Sequence, residues 1–325
     1  MRRRDLLALI GSTGVWPLAA GGQQPLPAIG FLSGASPTGP RQPDIDGLSQ
    51  GLAEAGYIVG RDLEVEYRFA EAQFDRLPAL AAELVSRRVA LIATVTLPAA
   101  IAAKAARPTT PVVFVIGEDP VKAGLAASLN RPGANATGIS DFVNELIAKR
   151  LELLRQAAPG ATSIGLLVNP DNPNAEPDAE TASAAAAALG QTLVIMKATN
   201  DRELTAAFET LAQQRAGALA INIDPFLFRA QYQIVALAAR YGLPAIYALR
   251  QFVDAGGLMS YSPNRLVSWH QAGAYAARIL HGENPADLPV QRANKVELVI
   301  NLKAAKALGL TLPQYLLARA DEVIE

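Results

Sequence analysis

Ile29-Gly30-Phe31-Leu32 and Ile164-Gly165-Leu166-Leu167 are the stretches on which the reading of this chain turns. Each is an apolar tetrad with glycine in second place. Each leads into a polar, proline-containing loop and then a helical run that ends at glycine, Gly56 in one case and Gly190 in the other. An apolar run without alternation fits a strand covered on both faces, as in a parallel sheet between helices. Working outward, Ala28–Ser33, Leu63–Tyr67, Ala90–Thr96 and Pro111–Ile116 read as strands. Between them, helical spacing covers Asp44–Gly56, Phe74–Val85 and Pro98–Ala106. The second half repeats the order with strands at Leu193–Lys197, Ala218–Ile223 and Ala245–Ala248. A helix opens there on the capping-box pair Asn200 and Glu203. The two arrays stand about 130 residues apart. The predicted fold class is therefore α/β, with two Rossmann-like lobes of parallel sheet flanked by helices. A single eight-unit barrel is the competing fold, and the near-duplication favours two lobes.

The joints set the expected domain limits. Leu129–Asn135 is rich in turn residues, a helix follows over Val143–Leu154, and His281–Pro285 breaks the helix that ends at Leu280. The unit Leu258–Leu280 is expected to rejoin the first lobe, and the terminal unit from Val296, closed by a short helix, the second. This divides the chain into residues 23–140 plus 250–284 and residues 141–249 plus 285–325, joined by a three-segment hinge. Residues 1–22 read as a removable export signal: Arg2-Arg3-Arg4, a moderately apolar Leu6–Ala20, then small residues. Arg3-Arg4-Asp5-Leu6-Leu7 is of twin-arginine type. The expected location of the mature chain is the periplasm.

Composition narrows the chemistry. Half of the 325 residues are hydrophobic, too many for a disordered chain. Twenty-nine basic residues balance 30 acidic ones without a basic run beyond residue 4, so no nucleic-acid footprint is present. The absence of cysteine removes disulfides and thiolate chemistry, and His270 and His281 are the only histidines. Both lie on one helical run, suited to a solvated face or a structural hydrogen bond. Gly47-Leu48-Ser49-Gln50-Gly51 matches the serine-hydrolase elbow literally, yet sits inside an amphipathic helix rather than on a strained turn. No phosphate loop occurs, and Asn135-Ala136-Thr137 is read as a turn. No cofactor or metal is expected.

Ligands of open α/β sheets lie beyond the carboxyl ends of the strands, beside helix N-termini whose amides favour anions. The loops at those ends contain Ser33, Ser36, Thr94, Thr96, Gly117 and Asp119 in the first array. Asn169, Asp224 and Tyr247 occupy them in the second. Each of these polar residues also suits a simple helix cap. Collectively they predict a polar cleft between the lobes.

At these positions and beyond, the chain closely resembles the periplasmic substrate-binding proteins of ABC importers, in a subfamily that includes tryptophan and other aromatic amino-acid binders. The resemblance spans nearly the whole mature chain. It rests on Ile29–Ser33, Asp75–Val85, Asp119-Pro-Val121, Ala127–Gly133, Lys149–Leu154, Ala255–Tyr261, Ala286–Gln291 and Asn301–Leu310. It implies the type I periplasmic-binding fold and no enzymatic activity. The implied role is capture of a small molecule, an amino acid or related small carboxylate, for an ABC permease and its ATPase. On that view Ser33, Ser36, Thr94 and Thr96 receive the ligand's carboxylate, Asp119 and Asp224 its amine, and Phe142 and Tyr247 its side chain. One departure stands out: Leu97 precedes Pro98 where relatives usually carry a small or hydroxyl residue, which narrows the pocket if Leu97 faces it. An enzyme on the same lobes, or a ligand-sensing partner of a membrane receptor, remains the alternative.

Overall fold

The computed structural model describes residues 26–37, 42–293 and 295–325. The export signal expected at residues 1–22 lies outside them. In chain order the elements are β1 (Ala28–Ser33), α1 (Gln42–Glu54), β2 (Glu64–Phe69), α2 (Leu77–Ser86), β3 (Ile92–Val95), α3 (Leu97–Ala106), β4 (Val112–Ile116) and β5 (Ala136–Ser140). Then come α4 (Ile147–Ala157), β6 (Ser163–Val168), α5 (Ala175–Ala188), β7 (Thr192–Lys197), α6 (Asp201–Gln213), β8 (Ala218–Ile221), α7 (Pro225–Arg229), α8 (Gln231–Arg240), β9 (Ala245–Tyr247) and α9 (Gln251–Asp254). The chain ends with β10 (Met259–Pro263), α10 (Arg265–Leu280), β11 (Gln291–Arg292), β12 (Val296–Asn301), α11 (Leu302–Ala307), α12 (Gln314–Leu317) and β13 (Glu322–Ile324).

These strands form two open sheets, which excludes the barrel. The first runs β11-β5-β4-β3-β1-β2, parallel throughout; the second runs β13-β12-β10-β9-β8-β6-β7, parallel except where β10 meets β12. Apolar clusters pack on both faces of each sheet. The paired glycines of the opening tetrads now have a shared reason. A Cβ at Gly30 would meet a Leu84 methyl at 2.9 Å, and one at Gly165 a Leu211 methyl at 2.6 Å. Each gap lets a leucine from the covering helix sit directly on the strand.

The chain passes between the sheets after β5, between β10 and α10, and between β11 and β12. The expected limits need correcting at two places. Met259–Pro263 pairs with β9 and β12, so residues 250–263 go with the second sheet, and only α10 packs on the first, against α1. Gln291 and Arg292 pair with β5, which keeps residues 285–292 with the first lobe. An apolar strand followed by a helix looks like one βα unit in sequence; here the hinge runs between them. Strand β5 was not anticipated, because Gly138 at its centre reads as strand-weakening. The two-residue β11 and terminal β13 are too short to carry a pattern.

The elbow-like motif is helix packing. Gly47 and Gly51 lie on α1 where it crosses α10, and a Cβ at Gly51 would stand 2.1 Å from the carbonyl oxygen of His270. His270 bonds Glu54 at 2.8 Å, while His281 packs on Tyr57. The triplet expected as a turn instead enters β5: Asn135 donates to the carbonyls of Arg107 and Thr110, and Ala136 and Thr137 already pair with β4. Of the expected capping box, Asn200 Oδ1 accepts the Glu203 amide at 3.0 Å, whereas the Glu203 carboxylate takes the amide and hydroxyl of Thr199. Asn200→Ala should cost about 1 kcal/mol, read as a lowered urea midpoint at unchanged slope.

Candidate functional site

Between the two sheets' carboxyl edges lies a cavity with about 710 Å³ free of protein atoms, its mouth included. The first lobe supplies Ala35, Val95, Thr96, Pro98, Val115, Ile116, Gly117 and Glu118; the second supplies Val143, Asn172, Asn174, Ile223, Asp224, Pro225, Phe228 and Leu249. Asp141 and Arg265 enter from the hinge. The walls are mainly apolar and the polar groups few, as orientation of a small organic ligand requires.

Thr96 is the most strained of the lining residues. It lies between β3 and α3 with φ +81° and ψ 146°, a region populated essentially by glycine. It occupies the cap position of α3, yet its hydroxyl caps nothing and is buried without a partner. Thr94, two residues earlier on β3, also buries an unpaired hydroxyl. The first-turn amides of Leu97 and Ala99 have no carbonyl within the helix to bond, and Pro98 has no N–H to contribute. The Thr96 hydroxyl thus stands at a helix N-terminus with its hydrogen-bonding capacity unused.

The other residues expected at the site separate into groups. Thr96, Gly117 and Asp224 reach the cavity. Ser33 is fully buried and takes the amide of Ala35, and Ser36 lies beside the cavity-lining Ala35. Asp119 caps the following turn through the amides of Val121 and Lys122. Asn169 is spent on Asp224 and on the amide of Asp171. The Asp224 carboxylate is itself occupied, accepting from Asn169, from Asn172 at 2.9 Å, and from the amides of Phe226 and Leu227. It organises the loop instead of waiting for an amine. Tyr247 is buried in the second lobe, stacked on Phe252 at 4.8 Å, with burial pushing its hydroxyl's pKa up. Phe142 sits at the hinge with φ +45° and the Arg292 guanidinium 3.7 Å above its ring. Leu97 turns away from the central cavity into an apolar groove with Leu77 and Ile101, so it does not narrow the pocket.

Sequence reasoning missed Glu118, Asp141 and Arg265. Arg265 forks onto Asp44 at 2.9 and 2.5 Å, and Asp141 accepts from Ser268 at 2.6 Å, its carboxyl pushed up to about 6 chiefly by burial. Glu118 Oε1 takes Asn174 Nδ2 across the cleft at 2.5 Å. The partners in these contacts are 221, 127 and 56 residues apart in the chain. Adjacency of Glu118 to Asp119-Pro120 was the one signal available. No group of three metal-ligating side chains occurs among the described residues. No described helix is long and apolar enough to cross a membrane.

A family model described as ABC transporter substrate binding protein matches residues 39–324. A tyrosine-binding protein of Clostridioides difficile (strain R20291) is 26% identical over 264 residues, 81% of this chain and 76% of that protein. An ABC domain from Streptococcus pneumonia, solved in complex with L-Trp, is 26% identical with a TM-score of 0.82, covering 92% of this chain and 100% of that one. The ligand-free, open structure of a substrate-binding protein with adhesive properties from Clostridium difficile is also 26% identical. It covers 92% of this chain and 99% of that one, but its TM-score is 0.66. The Glu118–Asn174 bond ties the two lobes across the cleft. Two lobes joined by three crossings, closing on a cleft, are the type I periplasmic-binding fold. The role that accompanies it is solute binding without catalysis. The chain belongs to the ABC transporter substrate-binding protein family.

Proposed function

We propose that this protein is an exported receptor that closes on a small α-amino acid with an aromatic or apolar side chain and presents it to an ABC permease and its ATPase. The observation that carries the reading is the strained Thr96 with its unpartnered hydroxyl at the N-terminus of α3, opening into a cavity walled by both lobes. That end suits a carboxylate, while Phe228, Leu249, Ile223 and Val115 offer apolar surface for a side chain. The tyrosine-binding relative and the L-Trp complex point to the same class. The arginine-rich start, Leu6–Ala20 and the small residues to Gly22 supply export through the twin-arginine route to the periplasm.

A thermal-shift screen of L-amino acids, aromatic acids and nucleosides, after unfolding and refolding to strip carried-over ligand, tests this. A ligand at 100 times its dissociation constant adds about 2.7 kcal/mol, roughly 5 °C for a chain of this size. Aromatic amino acids should shift the melt and nucleosides should not. Thr96→Ala should then weaken binding of the responding amino acid by about 1.5–3 kcal/mol, the usual loss for a hydrogen bond to a charged group. An unaltered affinity in calorimetry would remove Thr96 from the carboxylate site.

A further inference from the structure

Three carboxylates reach the cavity, and they differ in how their oxygens are occupied. Those of Asp224 are filled by side-chain amides and backbone N–H groups. Asp141 accepts from Ser268 and lies in the field of Arg265. Glu118 uses Oε1 to bridge to Asn174 of the other lobe, but its Oε2 is shut off from solvent with no hydrogen-bond partner. Among the described residues no other carboxylate oxygen is both buried and unpartnered. We propose that Glu118 makes the cleft select ligands bearing an ammonium group, because closure buries its carboxylate without a counter-charge unless the ligand brings one. The inference rests on the ligand being a small amino acid.

The surroundings of Glu118 leave that counter-charge missing. Asp178 on α5 faces it and adds repulsion. Arg150 on α4 is buried, donates to the Val143 carbonyl and acts on Asp178. Arg265 is committed to Asp44, with Asp141 beside it, and Asp224 closes the far wall. Burial first, and Asp178 second, push the Glu118 carboxyl up to about 7, against the pull of the Glu118 and Gly117 amides and Asn174. Asn174 and Asp178 belong to the opposite lobe, so opening the cleft removes their share of the burial and repulsion and lowers the Glu118 carboxyl back toward the ordinary glutamate range.

The sign of the pH effect follows from that difference. Closing on a ligand without a positive charge raises the affinity of Glu118 for a proton, so closure takes one up and becomes easier as pH falls. Closing on an ammonium keeps Glu118 ionised, and no proton moves. Between pH 7 and 5.5 an amine-free ligand should therefore bind about tenfold more tightly at the lower pH, while its amino-acid counterpart stays nearly constant.

Titration calorimetry on the purified protein tests this, with L-tryptophan and L-tyrosine set against 3-(indol-3-yl)propionate and 3-(4-hydroxyphenyl)propionate. Running each at pH 5.5, 7 and 8 in buffers of differing ionisation heat counts the protons. The expected result is at least a tenfold preference for the amino acid at pH 7, with proton uptake confined to the amine-free acid. Glu118→Gln, which keeps an acceptor for Asn174, should narrow the preference at least tenfold and abolish the uptake. Amino-acid binding with the preference and uptake unchanged in Glu118→Gln overturns the proposal. So does a wild-type pH series without proton uptake by a bound amine-free acid, a result that needs no variant. Failure of both amino acids to bind the wild type overturns the amino-acid reading itself, and this inference with it.

Discussion

Gly51→Ala is expected to destabilise the protein by about 3 kcal/mol or more, at the upper end of overpacking costs. The added Cβ would stand 2.1 Å from the His270 carbonyl oxygen, 2.8 Å from the Ala274 nitrogen and 3.0 Å from the Gly273 Cα. All three are backbone atoms, so no side chain can rotate away and α1 must lift off α10. Trp269 and Leu48, buried beside this crossing, lose their packing with it. Gly160→Ala is the control: nothing lies within 4 Å of its Cβ position, and it should stay within about 0.5 kcal/mol of wild type. Urea unfolding of the two variants measures the contrast. Equal midpoints would mean that the helices are not packed on their glycines.

Asp44→Ala should cost about 3–5 kcal/mol, as removing one partner of a buried ion pair does. Arg265 is largely buried, bound through both Nε and Nη2 to the Asp44 carboxylate, and would be left beside Asp141 alone. The loss would reach the site, because Arg265 begins α10 at a hinge crossing and lines the cavity. The double variant Asp44→Leu with Arg265→Met should be more stable than Asp44→Ala, since two apolar groups replace the pair without orphaning a charge. A double-mutant cycle shows this as a coupling energy. Simple additivity would place the pair in effective contact with solvent.

The comparison of Gly30 with Gly165 shows how much of the fold was legible locally. Apolar runs, glycine stops and proline starts depend on neighbours along the chain, and they located the strands of both sheets apart from β5, β11 and β13. Met259–Pro263 and Arg265–Leu280 show where legibility stopped. Their pattern is that of any strand and helix, and which sheet each joins depends on partners far away in sequence. The site divides in the same way. Thr96 was legible as a hydroxyl beside a helix start, but its backbone strain was not. Asp224 and Asn169 were legible as polar loop residues, yet their mutual hydrogen bonds consume the groups that the sequence left free.

By itself, the sequence determined the α/β class, the duplication into two lobes, the exclusion of thiol chemistry and the family resemblance. Each of these rests on local periodicity, composition or contiguous motifs. Only the tertiary structure decided that β10 stays with the second lobe, that Tyr247 is core, and that Glu118, Asp141 and Arg265 line the cleft. Those properties arise from desolvation and from contacts between segments up to 221 residues apart, and a carboxylate's lack of a partner exists only once the chain has folded around it.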